Sequence, residues 1–211
     1  MDINALVKGF ERFRKTSFQK YEDKFQDLVK QGQRPRVLFI ACADSRVDPG
    51  LITDAGPGEL FIMRNVGNMV EPFAADNEFH ATAAGIEYAV SVLNVSNIIV
   101  CGHSHCGAIS GMYKIPHGKN LVHVRKWIEL AKEAKTYVAH NAPSDISHEE
   151  RLELTEKMSV LFQLNHLLTY PEVKRRVDAG QLQLRGWYFS IETGEIEYYD
   201  HHERGFVRMG R

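Results

Sequence analysis

The sequence has 211 residues, of which 44% are apolar, and it carries 26 basic and 27 acidic side chains. This length suits a single domain with or without an appended arm, and the balanced charge argues against a nucleic-acid or membrane-surface partner, which would usually require a basic excess. The first residues are too charged for a signal peptide and no run approaches the roughly 18 apolar residues of a membrane span, so we expect a soluble, cytoplasmic protein.

The first 30 residues predict a helical arm, because apolar residues recur at three- and four-residue steps from Ile3 to Val29. The Gln-Gly-Gln-Arg-Pro segment at 31–35 ends this pattern. We therefore divide the chain into an N-terminal helical arm, residues 1–32, and an α/β domain, residues 33–211.

Three apolar runs of strand length follow, at residues 37–41, 60–63 and 97–101. They are continuous rather than alternating, which predicts strands buried on both faces of a parallel sheet. A helical stretch at about 76–93 separates the second run from the third, and it is long enough for a crossover connection.

The second half of the chain begins with two amphipathic patterns that predict helices at 120–140 and 144–170. The second of these helices starts near Ser144 and is ended by Pro171. A short helix then follows, and Gly180 is its expected stop.

The last predicted elements are strand-like segments at 182–189 and 195–199, joined through residues 192–194 as a hairpin or as a pair of sheet strands. The expected fold class is α/β, a single domain with a largely parallel central β-sheet flanked by helices. The terminal strands leave room for a mixed sheet.

Polar residues cluster where the first and third predicted strands end. Cys42-Ala43-Asp44-Ser45-Arg46 follows the first strand, and the segment from Gly102 to Gly107 follows the third. In open parallel sheets, sites form beyond the carboxyl ends of the strands. If these two strands are neighbours, their terminal side chains can converge on one crevice.

Cys42, His103 and Cys106 are predicted to be zinc ligands. Three cysteines are too few, and odd in number, for a disulfide framework, and thiolate with imidazole suits zinc. Three protein ligands leave a fourth position open, as in catalytic zinc sites, whereas a closed structural site would need a fourth ligand, for which His105 is the nearby candidate. A lone strand-end cysteine such as Cys42 is more often a core residue. Cys101 instead sits inside the third strand with no polar neighbours before it, and we assign it to the core.

Asp44 and Arg46 flank the first predicted ligand. A surface ion pair of this kind contributes little by itself. The functional interpretation is that Arg46 keeps Asp44 ionised and oriented, so that Asp44 accepts a hydrogen bond from zinc-bound water. Alternatively, if Arg46 releases it, the Asp44 carboxylate could take the fourth zinc position and close the site.

Two other motif interpretations fail on the residues. Gly102 and Gly107 have P-loop spacing, but Ala108 and Ile109 stand where Lys and Ser/Thr are required. A catalytic thiol–imidazole pair of Cys42 and His103 would leave Cys106 unexplained.

The two motifs, Cys42-x-Asp44-Ser45-Arg46 and Gly102-His103-x-x-Cys106-Gly107, together resemble the β-class carbonic anhydrases. The resemblance covers residues 31–113 closely and 160–200 more loosely. It includes the segments PGELF at 57–61, RNVGN at 64–68, IEYAV at 86–90, VSNIIV at 95–100, GW at 186–187 and IETG at 191–194.

The resemblance implies reversible hydration of carbon dioxide to bicarbonate and a proton, by attack of zinc-bound hydroxide on CO2. It implies Asp44 and Arg46 as a catalytic dyad and a substrate pocket at the interface of a homodimer or higher even-numbered homo-oligomer. In plant-like members a glutamine nine residues before the first cysteine donates to the substrate. The matching pocket positions here are Gln33 as that donor, Phe61, Val66 and Tyr88 as the apolar wall, and the Gly102 N–H as a further donor.

One position departs from part of that family. Members with a bicarbonate-inhibited closed state have Trp three residues before the first cysteine, together with an Arg and a Tyr, and this chain has Phe39 there although Arg64 is present. We therefore expect the open, plant-like type, with water rather than Asp44 on the zinc at neutral pH.

Three rival functions make different predictions. A related zinc enzyme acting on CS2 or COS would share the ligands and differ in channel shape and assembly. A zinc protein without catalysis would have a closed four-ligand site, with His105 as the extra ligand, and a thiol-based redox enzyme would stay active after zinc removal.

Overall fold

The computed structural model describes residues 2–76, 78–114 and 120–210. The helices in these ranges are α1 (Ile3–Lys15), α2 (Ser17–Gln31), α3 (Pro49–Thr53), α4 (Ala81–Glu87), α5 (Gly107–Tyr113), α6 (Val122–Ile128), α7 (Lys132–Asn141), α8 (His148–Leu167) and α9 (Pro171–Asp178). The strands are β1 (Val37–Cys42), β2 (Leu60–Asn65), β3 (Asn97–His103), β4 (Gln183–Phe189), β5 (Ile196–Asp200) and β6 (Gly205–Arg208).

The strands form one sheet in the order β2-β1-β3-β4-β5-β6. The first four are mutually parallel, and β5 and β6 extend the sheet in antiparallel fashion, so the predicted α/β class with a largely parallel sheet is confirmed. The chain runs from β1 outward to β2 and then crosses back over β1 to β3 on its other side. This reversal places a topological switch point between β1 and β3, where open α/β sheets form their binding crevices.

The core occupies both faces of the two central strands. Leu38 and Ile40 of β1 pack on one face, and Phe39 and Ala41 pack on the other, all without solvent exposure. Cys101 lies on the second face and is fully buried, which confirms its assignment to the core. Burial on both faces was thus predicted correctly for β1 and β3.

The same prediction is wrong for β2. This strand alternates between half-buried and exposed residues, and Ile62 is 43% exposed. The reason is its place at the edge of the sheet, where β1 is its sheet partner and the opposite edge is uncovered in a single chain.

The predicted helix at 76–93 begins later than expected. Asp76 accepts a hydrogen bond from the Glu78 N–H at 2.9 Å and contacts the His80 ring at 2.9 Å, which holds this segment in a turn. Helix α4 starts at Ala81, and its last turn widens into a π-helical segment, Tyr88–Val92.

The helices of the second half also differ in their limits. The predicted 120–140 helix is interrupted by a 3-10 turn at Glu129–Ala131. The next helix, α8, starts after Ser147 rather than Ser144, because Ser147 and Glu150 form a reciprocal capping box. Pro171 is the first residue of α9 rather than the end of α8, a position where its missing N–H costs no hydrogen bond.

The arm is helical as predicted, and Gly32 follows α2 with a positive φ of 75°. An ion pair between Lys24 and Glu59, at 2.6 Å, connects α2 to the loop before β2. The apolar face of α1 is exposed in the single chain; it consists of Ile3, Leu6, Val7, Phe10 and Phe13.

The terminal strands resolve the alternative left open by the sequence. Strands β4 and β5 pair directly as an antiparallel hairpin, and Gly194 in its turn has φ 71°. The sequence pattern did not predict α3, α5 or β6. Across the described residues, no helix combines the length and apolarity that a membrane crossing demands.

Candidate metal centre

The predicted ligand segments meet because their strands are neighbours. Strand β1 ends at Cys42 and β3 ends at His103, and the two strands run parallel in register, with Ala41 opposite Cys101. Cys106 comes three residues later, directly before helix α5. The strand ends therefore bring all three side chains to the switch-point crevice.

The ligand atoms of Cys42, His103 and Cys106 lie within 4.8 Å of one another, and all three residues are buried. The His103 Nδ1–H donates to the Ser104 carbonyl at 2.9 Å, which leaves Nε2 as the free ring nitrogen. That Nε2 is buried without a hydrogen-bond partner. Because a buried unpaired nitrogen is costly, its position beside two thiols fits a metal-binding site, and a donor set of two sulfurs and one imidazole suits zinc.

The pKa values of the two thiols are shifted in opposite directions. The hydrogen bond from the Cys106 thiol lowers the pKa of Cys42, and although burial opposes the shift, the His103 ring and the Gly67 N–H, 3.3 Å from the sulfur, lower it further. The same contact raises the pKa of Cys106, and burial adds to the rise. Metal binding by these residues requires both cysteines as thiolates, so a bound cation would displace their protons.

His105 turns away from this cluster. Its φ of 56° places it in the left-handed region, and its ring contacts Glu192 at the β4–β5 turn. The side chain is 61% exposed. In the part of the chain that the structure describes, the cluster therefore offers three candidate protein ligands, which disfavours the closed four-ligand alternative.

The Asp44–Arg46 pair forms as predicted. The Arg46 guanidinium donates to both carboxylate oxygens, Nε to Oδ1 at 2.9 Å and Nη2 to Oδ2 at 2.8 Å, and the Arg46 N–H also donates to Oδ1. These bonds hold the pKa of Asp44 well below its usual range. Arg46 Nη2 also donates to the His105 carbonyl at 3.1 Å, so the guanidinium connects the two ligand segments.

Arg64 supports the same segment from β2. Its Nε donates to the Cys42 carbonyl at 3.0 Å and its Nη2 to the Asp44 carbonyl at 2.7 Å. Phe39 is fully buried against Trp187, with ring centroids 5.7 Å apart. In this chain Phe39 is thus a core residue, and Arg64 fixes backbone carbonyls beside the centre.

Glu156 is a site neighbour that the sequence pattern did not reveal. Its Oε1 accepts the Cys106 N–H at 2.7 Å, and its Oε2 accepts the Tyr188 hydroxyl at 2.8 Å. Burial raises the pKa of this carboxyl. The available signal was a charged residue on the buried stripe of α8, and this becomes visible only when the helix register is known.

The predicted pocket residues divide into two groups. Val66 precedes Gly67, the donor to Cys42, and Gly102 precedes His103, so both lie at the centre. Phe61 and Tyr88 contact each other, with ring centroids 5.8 Å apart, but Phe61 pairs with Leu38 near the start of β1.

Gln33 lies beyond the opposite end of β1 and is exposed. The strand spans six residues, so roughly 17 Å separates Val37 from Cys42 at about 3.3 Å per residue. A single chain therefore does not bring Gln33, Phe61 and Tyr88 to its own metal centre.

A cavity of about 750 Å³ opens beside the centre. Ala43 and Val66 form the wall next to the ligands, and Trp127 donates its indole N–H to the Val66 carbonyl at 2.8 Å. Much of the remaining lining is apolar, from Val124 and Leu130. Glu71 and Lys126 also line this cavity, so it is an apolar space with charged side chains in its wall, next to the ligand cluster.

The fold and these side chains together define an α/β protein with a buried cluster of two thiols and one imidazole at its switch point. The family model described as carbonic anhydrase matches residues 37–196. The chain therefore belongs to the β-class carbonic anhydrase family and is an enzyme of that family.

Individual relatives agree over nearly the whole chain. The carbonic anhydrase of Synechococcus elongatus is 41% identical over 195 residues, which is 92% of this chain and 70% of that protein. The Pseudomonas aeruginosa carbonic anhydrase is 38% identical over 207 residues, 98% of this chain and 92% of that protein.

Solved structures show the same fold. The β-carbonic anhydrase CcaA superposes with a TM-score of 0.91 at 39% identity, covering 99% of this chain and 92% of that one. A tetrameric β-carbonic anhydrase from Sordaria macrospora has a TM-score of 0.81 at 26% identity, covering 92% of this chain and 95% of that one.

Proposed function

We propose that this protein catalyses the reversible hydration of CO2 to bicarbonate and a proton, with Zn²⁺ held by Cys42, His103 and Cys106. The observation that carries the proposal is the buried, unpartnered Nε2 of His103 facing two thiols, one of which is acidified. The carbonic anhydrase relatives supply the reaction class. When bound, zinc acts as a Lewis acid that makes a coordinated water nucleophilic near neutral pH.

Asp44 and Arg46 orient the attacking water. The carboxylate stays ionised because Arg46 donates to both of its oxygens, and its remaining lone pairs can accept a hydrogen bond from the O–H of a water in the crevice. The closed alternative would require Asp44 to leave Arg46, and this pairing supports the open, plant-like type instead.

Val66 and the apolar cavity beside it receive CO2. CO2 has no net charge, so an apolar slot binds it without competing for the metal. The Gly102 N–H and a Gln33 side chain would stabilise the oxygens that become negative as bicarbonate forms.

A second copy of the chain must supply Gln33, Phe61 and Tyr88, because each chain keeps them away from its own centre. We therefore propose a homodimer or a higher even-numbered homo-oligomer. The exposed apolar face of α1 supports this assembly, as does the tetrameric Sordaria relative. Residues 1–32 would form an arm that packs against the partner subunit. Residues 33–211 would form the zinc-binding catalytic domain.

We place the protein in the cytoplasm, where reducing conditions keep the cysteines as thiols.

Stopped-flow CO2 hydration, with zinc content measured on the same sample, tests this function. The wild type should hydrate CO2 rapidly at about one zinc per chain, and Cys106→Ser should lose both zinc and activity because a thiolate ligand is gone. Cys101→Ala is the matched control, since Cys101 is also buried but lies outside the ligand cluster, and it should retain zinc.

If zinc is bound but hydration is absent at both pH 7 and pH 9, CO2 is the wrong substrate. COS and CS2 hydrolysis by the same sample would then be measured. Hydration that survives complete zinc removal would contradict the metal assignment itself.

A further inference from the structure

Helix α8 carries a carboxylate into the protein directly behind the metal centre. Glu156 is 4% exposed. Its two oxygens have one partner each, the Cys106 N–H at 2.7 Å and the Tyr188 hydroxyl at 2.8 Å. Both partners are neutral donors, so the desolvation of this carboxyl is offset by hydrogen bonds rather than by an opposite charge.

The bond to Cys106 acts on the geometry of the predicted ligand. Cys106 is the residue before the first turn of α5, with φ −69° and ψ 117°, so its N–H is outside the hydrogen bonds of that helix. Because the amide and the thiol sit on one residue, fixing the N–H limits the directions in which the sulfur can point. Partners that orient metal ligands typically change metal affinity or activity by 10- to 100-fold when removed.

Glu156 is itself held in place from two sides. The phenol of Tyr188 comes from β4, and the ring of this tyrosine is covered by the Lys157 ammonium at 4.8 Å from its centroid. One turn further along α8, Val160 packs against Gly102 of β3. The carboxylate is thus bonded to β4, and the helix that carries it packs closely on β3, which restricts the position of Oε1.

We propose that Glu156 is a positioning residue, which sets the orientation of the Cys106 thiolate through the Cys106 N–H. The proposal rests on the proposed metal function. It attributes the role to the hydrogen-bond acceptor at Oε1, so glutamine should replace glutamate and leucine should not.

Cobalt substitution and zinc affinity separate this role from simple packing. The Co²⁺-loaded visible spectrum reports ligand geometry, and competition with a chelator measures the zinc dissociation constant. Glu156→Leu should weaken zinc binding by roughly 10- to 100-fold and change the cobalt spectrum. Glu156→Gln should stay within about threefold of the wild type and keep its spectrum, because the amide oxygen still accepts from Cys106.

Thr155→Val is the matched control. Thr155 is fully buried on the same helix and bonds the Tyr113 hydroxyl at 2.8 Å, so its loss removes a buried polar contact without touching the ligand loop. It should lower the thermal midpoint and leave both metal readouts unchanged.

A second variant serves if Glu156→Leu fails to fold. Tyr188→Phe removes the hydroxyl that donates to Glu156 Oε2, so it should weaken zinc binding by a few-fold and shift the cobalt spectrum.

Two results would overturn the proposal. One is a Glu156→Leu or Tyr188→Phe protein with wild-type zinc affinity and spectrum; the other is a Glu156→Gln protein as impaired as Glu156→Leu. Wild-type protein that binds neither metal would instead contradict the proposed function, and with it the positioning role of Glu156.

Discussion

At the scale of single residues, the polar atoms of His103 and Asp44 differ in whether they have hydrogen-bond partners. His103 has one ring nitrogen bonded to a carbonyl and the other buried without a partner, which is costly unless a ligand occupies it. Asp44 is the opposite case, because both of its oxygens are already bonded by Arg46. In the proposed function, His103 binds the cation and Asp44 remains an oriented anion.

Arg46→Lys should reduce kcat/KM by roughly 10- to 100-fold while zinc content stays unchanged. Lysine keeps the charge but cannot form the two parallel bonds that fix the Asp44 carboxylate. The measurement is steady-state CO2 hydration beside metal analysis. Arg175→Lys is the control, since Arg175 forms the same two-bond pair with Glu172 on the surface of α9. Equal effects of the two substitutions would contradict the role of the dyad.

Activity should rise as pH increases above neutral. In the well-known carbonic anhydrase site with three histidines, the bound water has a pKa near 7, and that value belongs to that site. Two thiolates give the metal more negative charge than imidazoles do, so its water should be less acidic here. The kcat/KM profile between pH 6 and 9 checks this, and a flat profile would count against it.

At the scale of elements, close packing of α8 on the sheet determines where Glu156 lies. Glycines at two adjacent strands allow this approach, because a Cβ at Gly102 would stand 2.7 Å from Val160 Cγ2 and one at Gly186 2.9 Å from Val160 Cγ1. The absence of these side chains therefore sets the distance between the helix and the strand that ends in His103.

Gly102→Ala should lower the free energy of unfolding by about 1–3 kcal/mol, because the added methyl overlaps a fully buried valine. Combining it with Val160→Ala should cost less than the sum of the two single substitutions. Urea denaturation measures both effects. Gly111→Ala, in α5 with its nearest neighbouring atom at 3.9 Å, should be neutral or stabilising, and an additive double variant would contradict the proposed contact.

Acid should loosen the attachment of α2. The side chain of Lys24, with the Gly56 N–H, lowers the pKa of Glu59. A carboxyl with a lowered folded-state pKa contributes stability above its ordinary value, near 4.3, and this contribution is lost as the pH falls through the folded value.

Limited proteolysis of the arm between pH 6 and 3.5 tests the attachment. Glu59→Gln should lose that part of the pH dependence, and the wild-type effect should shrink in high salt because the pair is exposed. Glu22→Gln, at an exposed position on α2, should behave as the wild type. Identical profiles for all three proteins would remove the ion pair as a cause.

At the scale of the whole molecule, one chain holds the two proposed parts of the site at opposite ends of the same strand. Cys42 lies at the carboxyl end of β1, and Gln33 precedes its amino end. The apolar face of α1 is also exposed in the single chain. Two copies can complete both centres at once if their interface is isologous.

Phe10→Glu should therefore dissociate the assembly and reduce hydration in step with it. Phe10 is 60% exposed in the single chain, at the centre of the apolar face of α1, and a carboxylate there would have to be buried on association. Light scattering after gel filtration measures the mass. Lys8→Glu, on the opposite side of the helix, should leave the assembly intact, and a fully active Phe10→Glu monomer would contradict the partner contribution.

The sequence by itself determined the α/β class, both central strands and the convergence of Cys42, His103 and Cys106. These features depend on local chemistry, because buried runs of strand length specify a parallel sheet, and such a sheet collects its strand ends at one edge. The helical arm and its end at Gly32 were likewise predicted from local sequence pattern. The roles assigned to the site residues remain predictions that the experiments above can test.

Only the tertiary structure decided which elements stand at an edge or behind the site. The exposure of β2 follows from its place at the end of the strand order, and the contact of Glu156 follows from the rotation of α8 against β3 and β4. The separation of Gln33 from the centre follows from the length and direction of β1. Each depends on contacts between residues far apart in the chain, and a one-dimensional pattern of apolar residues does not contain the distances that fix them.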